Sequence, residues 1–441
     1  MNPRSSTLAL TVPLARGAAL TAALAAACAR PAAPALVAPD CPPIAAPQTI
    51  TLPFAPERPF AAWLTPHHAV VADDHRVSDG APALRALVID AHRGEARPLT
   101  LPPLVEARRG SSNAHFAAVD GRLLVISYST VGDEPITAHL VDPHTGAITP
   151  VDGAAAPTSG AFLTSPFRAA AGRGGYVHWP RSPGDAAAPR PGHVLDALRA
   201  LWRPAPKDLV LSTGAHINVV GDGRVAVFGG RGGDGGPAGE GALLDLSTGD
   251  LRRFAHPRIA TSMVAVDGLS LAAAFADAGR LRGYVIDLER GGAPFFERDV
   301  DISWRHPHLL HLRGDHLAYL AADALHLWRP SSGRWRALDL PFSPDAPSEI
   351  ALTDLADGRW LIDGTDRGAF LLDPHAGTFC ALALPSSLTL ASATLTSPHL
   401  RLRIGGAAEV FAAPECPPGA PCAIEAPTRH EDPRAELVRL P

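Results

Sequence analysis

The chain of 441 residues carries 39 Lys and Arg against 44 Asp and Glu, a formal net charge of -5 with no long run of one sign. Nucleic acid and other polyanions therefore have no electrostatic support as partners. An apolar fraction of 46% and a charged fraction of 19% exclude a disordered chain, and 40 Gly with 45 Pro argue against a helical one.

The N-terminus has the form of an export signal. Arg4 and Arg16 precede the apolar run from Gly17 to Ala27, so residues 1–27 are expected to be removed as a signal peptide. The run is shorter than the roughly 20 residues a membrane-spanning helix requires. Leu24-Ala25-Ala26-Ala27-Cys28 resembles a lipobox with its aliphatic residue one place early. That resemblance implies lipidation at Cys28, a membrane anchor through that lipid and an outer-membrane or periplasm-facing address. Ordinary cleavage after Ala-x-Ala is the alternative. Residues 28–48 are Ala/Pro-rich and form an extended tether, and residues 49–441 form the body. With Cys28 set aside, Cys41, Cys380, Cys416 and Cys422 remain, an even number suited to an oxidising compartment. Four cysteines allow three connectivities; Cys416 with Cys422 and Cys41 with Cys380 is the simplest, and free thiols are the alternative. No Cys-x-x-Cys pair points to zinc.

Within the body a short phrase recurs: β-formers, an Asp, three residues and a Gly. It stands at Asp90 with Gly94, Asp142 with Gly146, Asp245 with Gly249, Asp287 with Gly291 and Asp373 with Gly377, and Arg329 with Gly333 fits with the Asp replaced. Asp can cap backbone N–H groups and Gly supplies positive φ, so each phrase predicts a hairpin turn. A second hairpin signal precedes it, as at Asp120-Gly121, Asp222-Gly223, Asp267-Gly268, Gly314-Asp315 and Asp357-Gly358. A Leu-x-Leu-Pro cadence follows it, at Leu99–Pro102, Leu338–Pro341 and Leu382–Pro385. Each unit thus holds four strands. A weaker unit lies at Gly175–Trp179 with His193–Asp196, and a last one at Leu400–Ile404 followed by Val410 and Phe411, which makes eight.

Four short antiparallel strands repeated every 40 to 50 residues or so predict an all-β propeller of about eight four-stranded blades, because each small sheet must bury both faces against neighbours. Seven blades is the alternative. The ring has to be closed by a terminus, and both Ile50-Thr51-Leu52-Pro53 and Leu437–Pro441 have the fourth-strand cadence. The units resemble kelch repeats, as in the central domain of galactose oxidase. Gly229-Gly230 and Gly405-Gly406 match the diglycine, and Trp335 and Phe379 stand where the late Trp belongs. The resemblance covers most of residues 49–441 and implies a fold more than an activity.

Signs of chemistry are sparse. His306 and His308 share strand parity and form a weak candidate metal pair, with no third ligand near in sequence. Four tyrosines, with every cysteine near a chain end or in a late unit, argue against a galactose-oxidase copper site. The Gly-rich stretch 229–236 lacks the ending of a phosphate loop. No cofactor is implied. Propeller geometry nominates the segments leading into each innermost strand as a binding surface. They carry Arg108, Arg109, Asn113, His115, His216, Asn218, Arg258, Arg305, His306 and Glu349. The expectation is a non-catalytic, monomeric cell-envelope scaffold for a protein or glycan. Its rival is a secreted carbohydrate-active or redox enzyme with a site at the channel mouth.

Overall fold

The computed structural model describes residues 38–41, 43–57, 59–76, 82–104, 112–129, 134–159, 168–179, 192–207, 209, 215–221, 223–229, 239–257, 263–277, 279–292, 294–300, 309–321, 324–343, 350–365, 367–384, 386–388, 390–410 and 428–440. Eight four-stranded antiparallel sheets form a ring, a β-propeller. From the innermost strand outward, blade 1 is Phe60–Thr65, His68–Arg76, Pro82–Asp90 and Glu95–Pro98; blade 2 is Ser112–Val119, Arg122–Ser129, Thr137–Val141 and Ile148–Pro150. Blade 3 is Arg168–Gly172, Gly175–Trp179, His193–Asp196 and Leu201–Pro204, and blade 4 is Ala215–Val220, Arg224–Gly229, Glu240–Asp245 and Leu251–Ala255. Blade 5 is Met263–Asp267, Ser270–Asp277, Arg280–Asp287 and Phe295–Asp299; blade 6 is Leu309–Arg313, His316–Leu320, Ala324–Arg329 and Arg334–Asp339. Blade 7 is Ala351–Asp354, Trp360–Thr365, Gly368–Asp373 and Thr378–Leu382.

Blade 8 closes the ring with both termini. Its strands run Ala391–Thr396, Leu400–Gly405, Arg434–Arg439 and Gln48–Thr51, so the C-terminus supplies the third strand and the N-terminus the outermost. Gln48 to Thr51 pair antiparallel with Leu437 to Arg434. The Leu-x-Leu-Pro cadence therefore marks a true fourth strand at Ile50, while at Leu437 it falls on a third strand. Val410, which the sequence suggests for this blade, instead ends a separate two-stranded ladder in which Ala407–Val410 pairs with Thr428–Glu431.

The core is distributed among eight seams, one hydrophobic cluster between each pair of neighbouring blades. Strand parity explains how. Val70 and Ala72 pack into the seam with blade 2, while Ala69 and Val71, one residue out of phase, pack into the seam with blade 8. Leu317 and Tyr319 face blade 5, and Ala318 and Leu320 face blade 7. Middle strands buried on both faces read as continuous apolar runs such as Leu123–Ile126, without the alternation of a half-solvated strand.

The recurring Asp turns have one construction. Asp90, Asp142, Asp245, Asp287 and Asp373 each accept, through Oδ1, the backbone N–H groups two and three residues on, and the Gly N–H closes back onto the Asp carbonyl. Where Arg329 replaces the Asp, Asp315 of the neighbouring turn in the same blade reaches across and accepts from Ser331 N at 2.9 Å.

Candidate functional site

Strands alternate in direction, so connections alternate between the two ends of the ring. One face carries the short connections: 66–67, 120–121, 173–174, 268–269 and 314–315 between first and second strands, and 91–94, 197–200, 330–333 and 374–377 between third and fourth. The strand ends at the other face are separated by longer stretches of sequence, as between Pro98 and Ser112, Pro150 and Arg168, Trp179 and His193, Pro204 and Ala215, Gly229 and Glu240, Asp339 and Ala351, and Gly405 and Arg434. The short-turn face is tied together blade to blade. Arg97, Arg203, Arg252 and Arg336, each on an outermost strand, donate to carbonyls in the next blade's Asp-x-x-x-Gly turn: Pro143 and His144, Leu246, Glu289 and Ala376 respectively. Each of these arginines lies seven positions after its own blade's turn Asp, or after Arg329 in blade 6. In blade 7 that position is Cys380, which is joined to Cys41 by a disulfide. There the backbone of Pro39 and Cys41 also pairs with Ala381, so the N-terminal strap runs along blade 7 before entering blade 8.

At the centre of the short-turn face a polar chain crosses three blades. Arg313 Nη1 donates to Asp267 Oδ1 at 2.9 Å, Gly314 N donates to Asp267 Oδ2 at 2.6 Å, and His311 Nε2 lies 2.9 Å from Asp354 Oδ1. His311 stands edge-on to Trp360. These side chains occupy the last turns of the innermost strands of blades 5, 6 and 7. Sequence reasoning left Asp267, Arg313 and Asp354 out of the candidate set; their positions just before or beside the Gly268, Gly314 and Gly358 turns were the available signal.

Four of the nominated binding residues lie within the described residues. Asn113 and His115 are on the innermost strand of blade 2, and His216 and Asn218 on that of blade 4, with blade 3 between them. His115 packs against Tyr176 across the 2/3 seam, and burial pushes its imidazole down to about 4. His216 lies opposite Phe228 with the rings stacked at 5.7 Å. From Phe228 an aromatic series continues through His256 to Tyr284 of blade 5, whose hydroxyl is raised by burial. The two histidines thus serve blade packing, and Asn113 and Asn218 remain the half-buried polar positions of the nominated set. Arg108, Arg109, Arg258, Arg305, His306, His308 and Glu349 lie outside the described residues, as do Cys28, Cys416 and Cys422. Among the described residues no group of three or more His, Cys, Asp or Glu side chains is placed to hold a metal ion. No helix among them is long and apolar enough to cross a membrane.

The architecture places the chain in the class of eight-bladed β-propellers. No protein-family model matches it, and no curated protein sequence does. Among solved structures it is similar to the Dos1 propeller, at 10% identity and a TM-score of 0.49 over 90% of this chain and 95% of that one. It is also similar to apo AztD from Citrobacter koseri, at 15% identity and a TM-score of 0.44 over 75% and 86% of the two chains. An uncharacterised protein, lmo1340 from Listeria monocytogenes EGD-e, is 12% identical with a TM-score of 0.42 over 77% and 98%. These are similarities of shape and say nothing of activity.

Proposed function

We propose that the chain is a divergent kelch-like, non-catalytic propeller of the cell envelope, held by a lipid at Cys28 and binding a protein or glycan through the face opposite its short turns. The observation that carries this reading is the division of labour between the two faces. One is consumed by capped turns and blade-to-blade clasps; the other bears the long connections, which vary in length from blade to blade and so can shape a surface. The Cys41–Cys380 disulfide suits an exported protein.

The test uses the mature chain with a photo-crosslinking residue at Asn113 or Asn218, and in separate variants at Thr248 or Ser332 on the short-turn face. Incubated with outer-membrane and periplasmic fractions and with peptidoglycan and lipopolysaccharide fragments, the first pair should capture one defined species and the second pair none. Capture only from the short turns, or turnover of a glycan by the purified chain, would overturn the reading. Replacing Cys28 by Ser should move the protein out of the membrane fraction.

A further inference from the structure

We propose that two matched histidine pairs make the 1/2 and 6/7 seams proton-sensitive latches on the short-turn face, which loosen when the surroundings become mildly acidic. In each pair the first member leads a second strand, His68 in blade 1 and His316 in blade 6. The second member comes from an Asp-Pro-His turn in the next blade, His144 in blade 2 and His375 in blade 7. Ring centroids are 4.3 Å apart at 76° in the first pair and 4.6 Å apart at 89° in the second. The same residue types thus meet at the same place in two seams; the Asp-Pro-His sequence occurs in these two turns only, while blade 1 carries His92 at the same turn position, facing His67 of its own blade.

In the 6/7 pair one contact requires an uncharged ring. His316 is only 6% exposed, and Arg329 Nε donates to its Nε2 at 3.1 Å, so that nitrogen must keep its lone pair. A proton there would place an imidazolium against a guanidinium and beside His375. Asp315 and Asp373 face the same ring and oppose this, and Trp360 presents an edge-on contact. His68 has Thr65 Oγ1 at 2.9 Å from Nδ1 and Asp90 Oδ2 at 3.7 Å from Nε2, with His67, Arg97 and His144 as its cationic or titratable neighbours. In both rings burial, and then the neighbouring histidine, outweigh the carboxylates and hold the imidazole below its ordinary value.

The sign follows from linkage. A histidine whose proton affinity is depressed on folding contributes stability that is complete above its unfolded value of about 6.5 and is lost as pH falls through the depressed folded value. The loss falls on the seam that each ring bridges. Loosening of these two seams would divide the ring into one arc of blades 2–6 and another of blades 7, 8 and 1. This device does not depend on what the opposite face binds.

Amide hydrogen exchange of the full chain at pH 7.5 and 5.0, corrected for intrinsic rates, tests it. Protection at Gly146 and Gly377 should fall on the order of tenfold more than at Gly249 and Gly291, whose turns carry Ser247 and Glu289 at the histidine position. Because His115, His139 and His193 are also depressed by burial, global stability would not discriminate, and the local readout does. His144→Asn should abolish the acid response at Gly146 and leave that at Gly377, and His375→Asn the converse. An equal response at all four glycines, or a response unchanged in these variants, would overturn the proposal.

Discussion

At position 200 an alanine stands at φ 51°, where the equivalent residue of the other turns is a glycine, as Gly249 at 83° or Gly291 at 77°. The turn starting at Asp196 lacks the Asp-to-Gly spacing of the others, yet it forms, with Asp196 capping Arg199 N. A left-handed L-residue costs roughly 1–2 kcal/mol, offset in part by the greater unfolded-state freedom of glycine. Ala200→Gly should therefore stabilise the protein by about 0.5–1 kcal/mol, read as a rise in urea midpoint. The turn aspartates make a second prediction. Burial raises Asp90, Asp142 and Asp245, but their backbone and side-chain donors prevail and the net displacement is downward; at Asp287 the backbone N–H of Arg290 leads. A depressed carboxylate contributes stability that is full above its unfolded range and lost as pH falls through its folded value. Asp287→Asn should flatten the acid limb of a stability profile measured between pH 6 and 3, and should cost about 1 kcal/mol at pH 7.

At the scale of the element, a turn is also a socket. A Cβ on Gly377 would collide with the end of the Arg336 side chain, and one on Gly94 with Gln48, whereas one on Gly291 would meet nothing within 4 Å. At Gly377 and Gly94 the glycine is thus needed twice, for its backbone angle and for clearance of the residue arriving from the preceding blade, whereas at Gly291 and Gly146, whose turns are clasped through other carbonyls, only the backbone angle requires it. Gly291→Ala should cost only the backbone term, about 1 kcal/mol, and Gly377→Ala roughly 1–1.5 kcal/mol more, because the Arg336 to Ala376 hydrogen bond is expelled as well. Arg336→Ala in the Gly377→Ala background should then add almost nothing, a double-mutant cycle that isolates the clasp. The Asp-x-x-x-Gly-x-x-Arg spacing was present in the sequence at Asp90 to Arg97 and Asp245 to Arg252. Along the chain alone it carries no signal, because an arginine on an exposed outer strand looks like ordinary solvated charge until the next blade's carbonyls are placed beside it.

At the scale of the molecule, ring closure rests on the N-terminal strap. Among the described residues the 7/8 cluster has the fewest buried members of the eight and is supplemented by Cys41, Ile44 and Cys380. The disulfide there closes a sequence separation of 339 residues. The paired change Cys41→Ser with Cys380→Ser should lower stability by up to about 6 kcal/mol on a chain-entropy account, measured as a fall in urea midpoint that reducing agent reproduces in the parent protein. Deleting residues up to Thr51 should leave the third strand of blade 8, Arg434–Arg439, as an open edge and promote self-association, read as earlier elution than the parent protein on size exclusion.

The sequence by itself determined the four-stranded repeat and the positions of the Asp-x-x-x-Gly turns, and narrowed the blades to eight or seven, which the structure settles as eight. Those features are local: a turn is decided by a carboxylate and a glycine four residues apart, and a fully buried strand by an unbroken apolar run. Tertiary structure alone decided how both termini share blade 8, which histidines meet across a seam, and that Asp267, Arg313, Asp354 and His311 meet at the centre. Each of those depends on the lateral contact between blades about 45 residues apart in sequence, where strand parity and blade order, invisible along the chain, choose the neighbour.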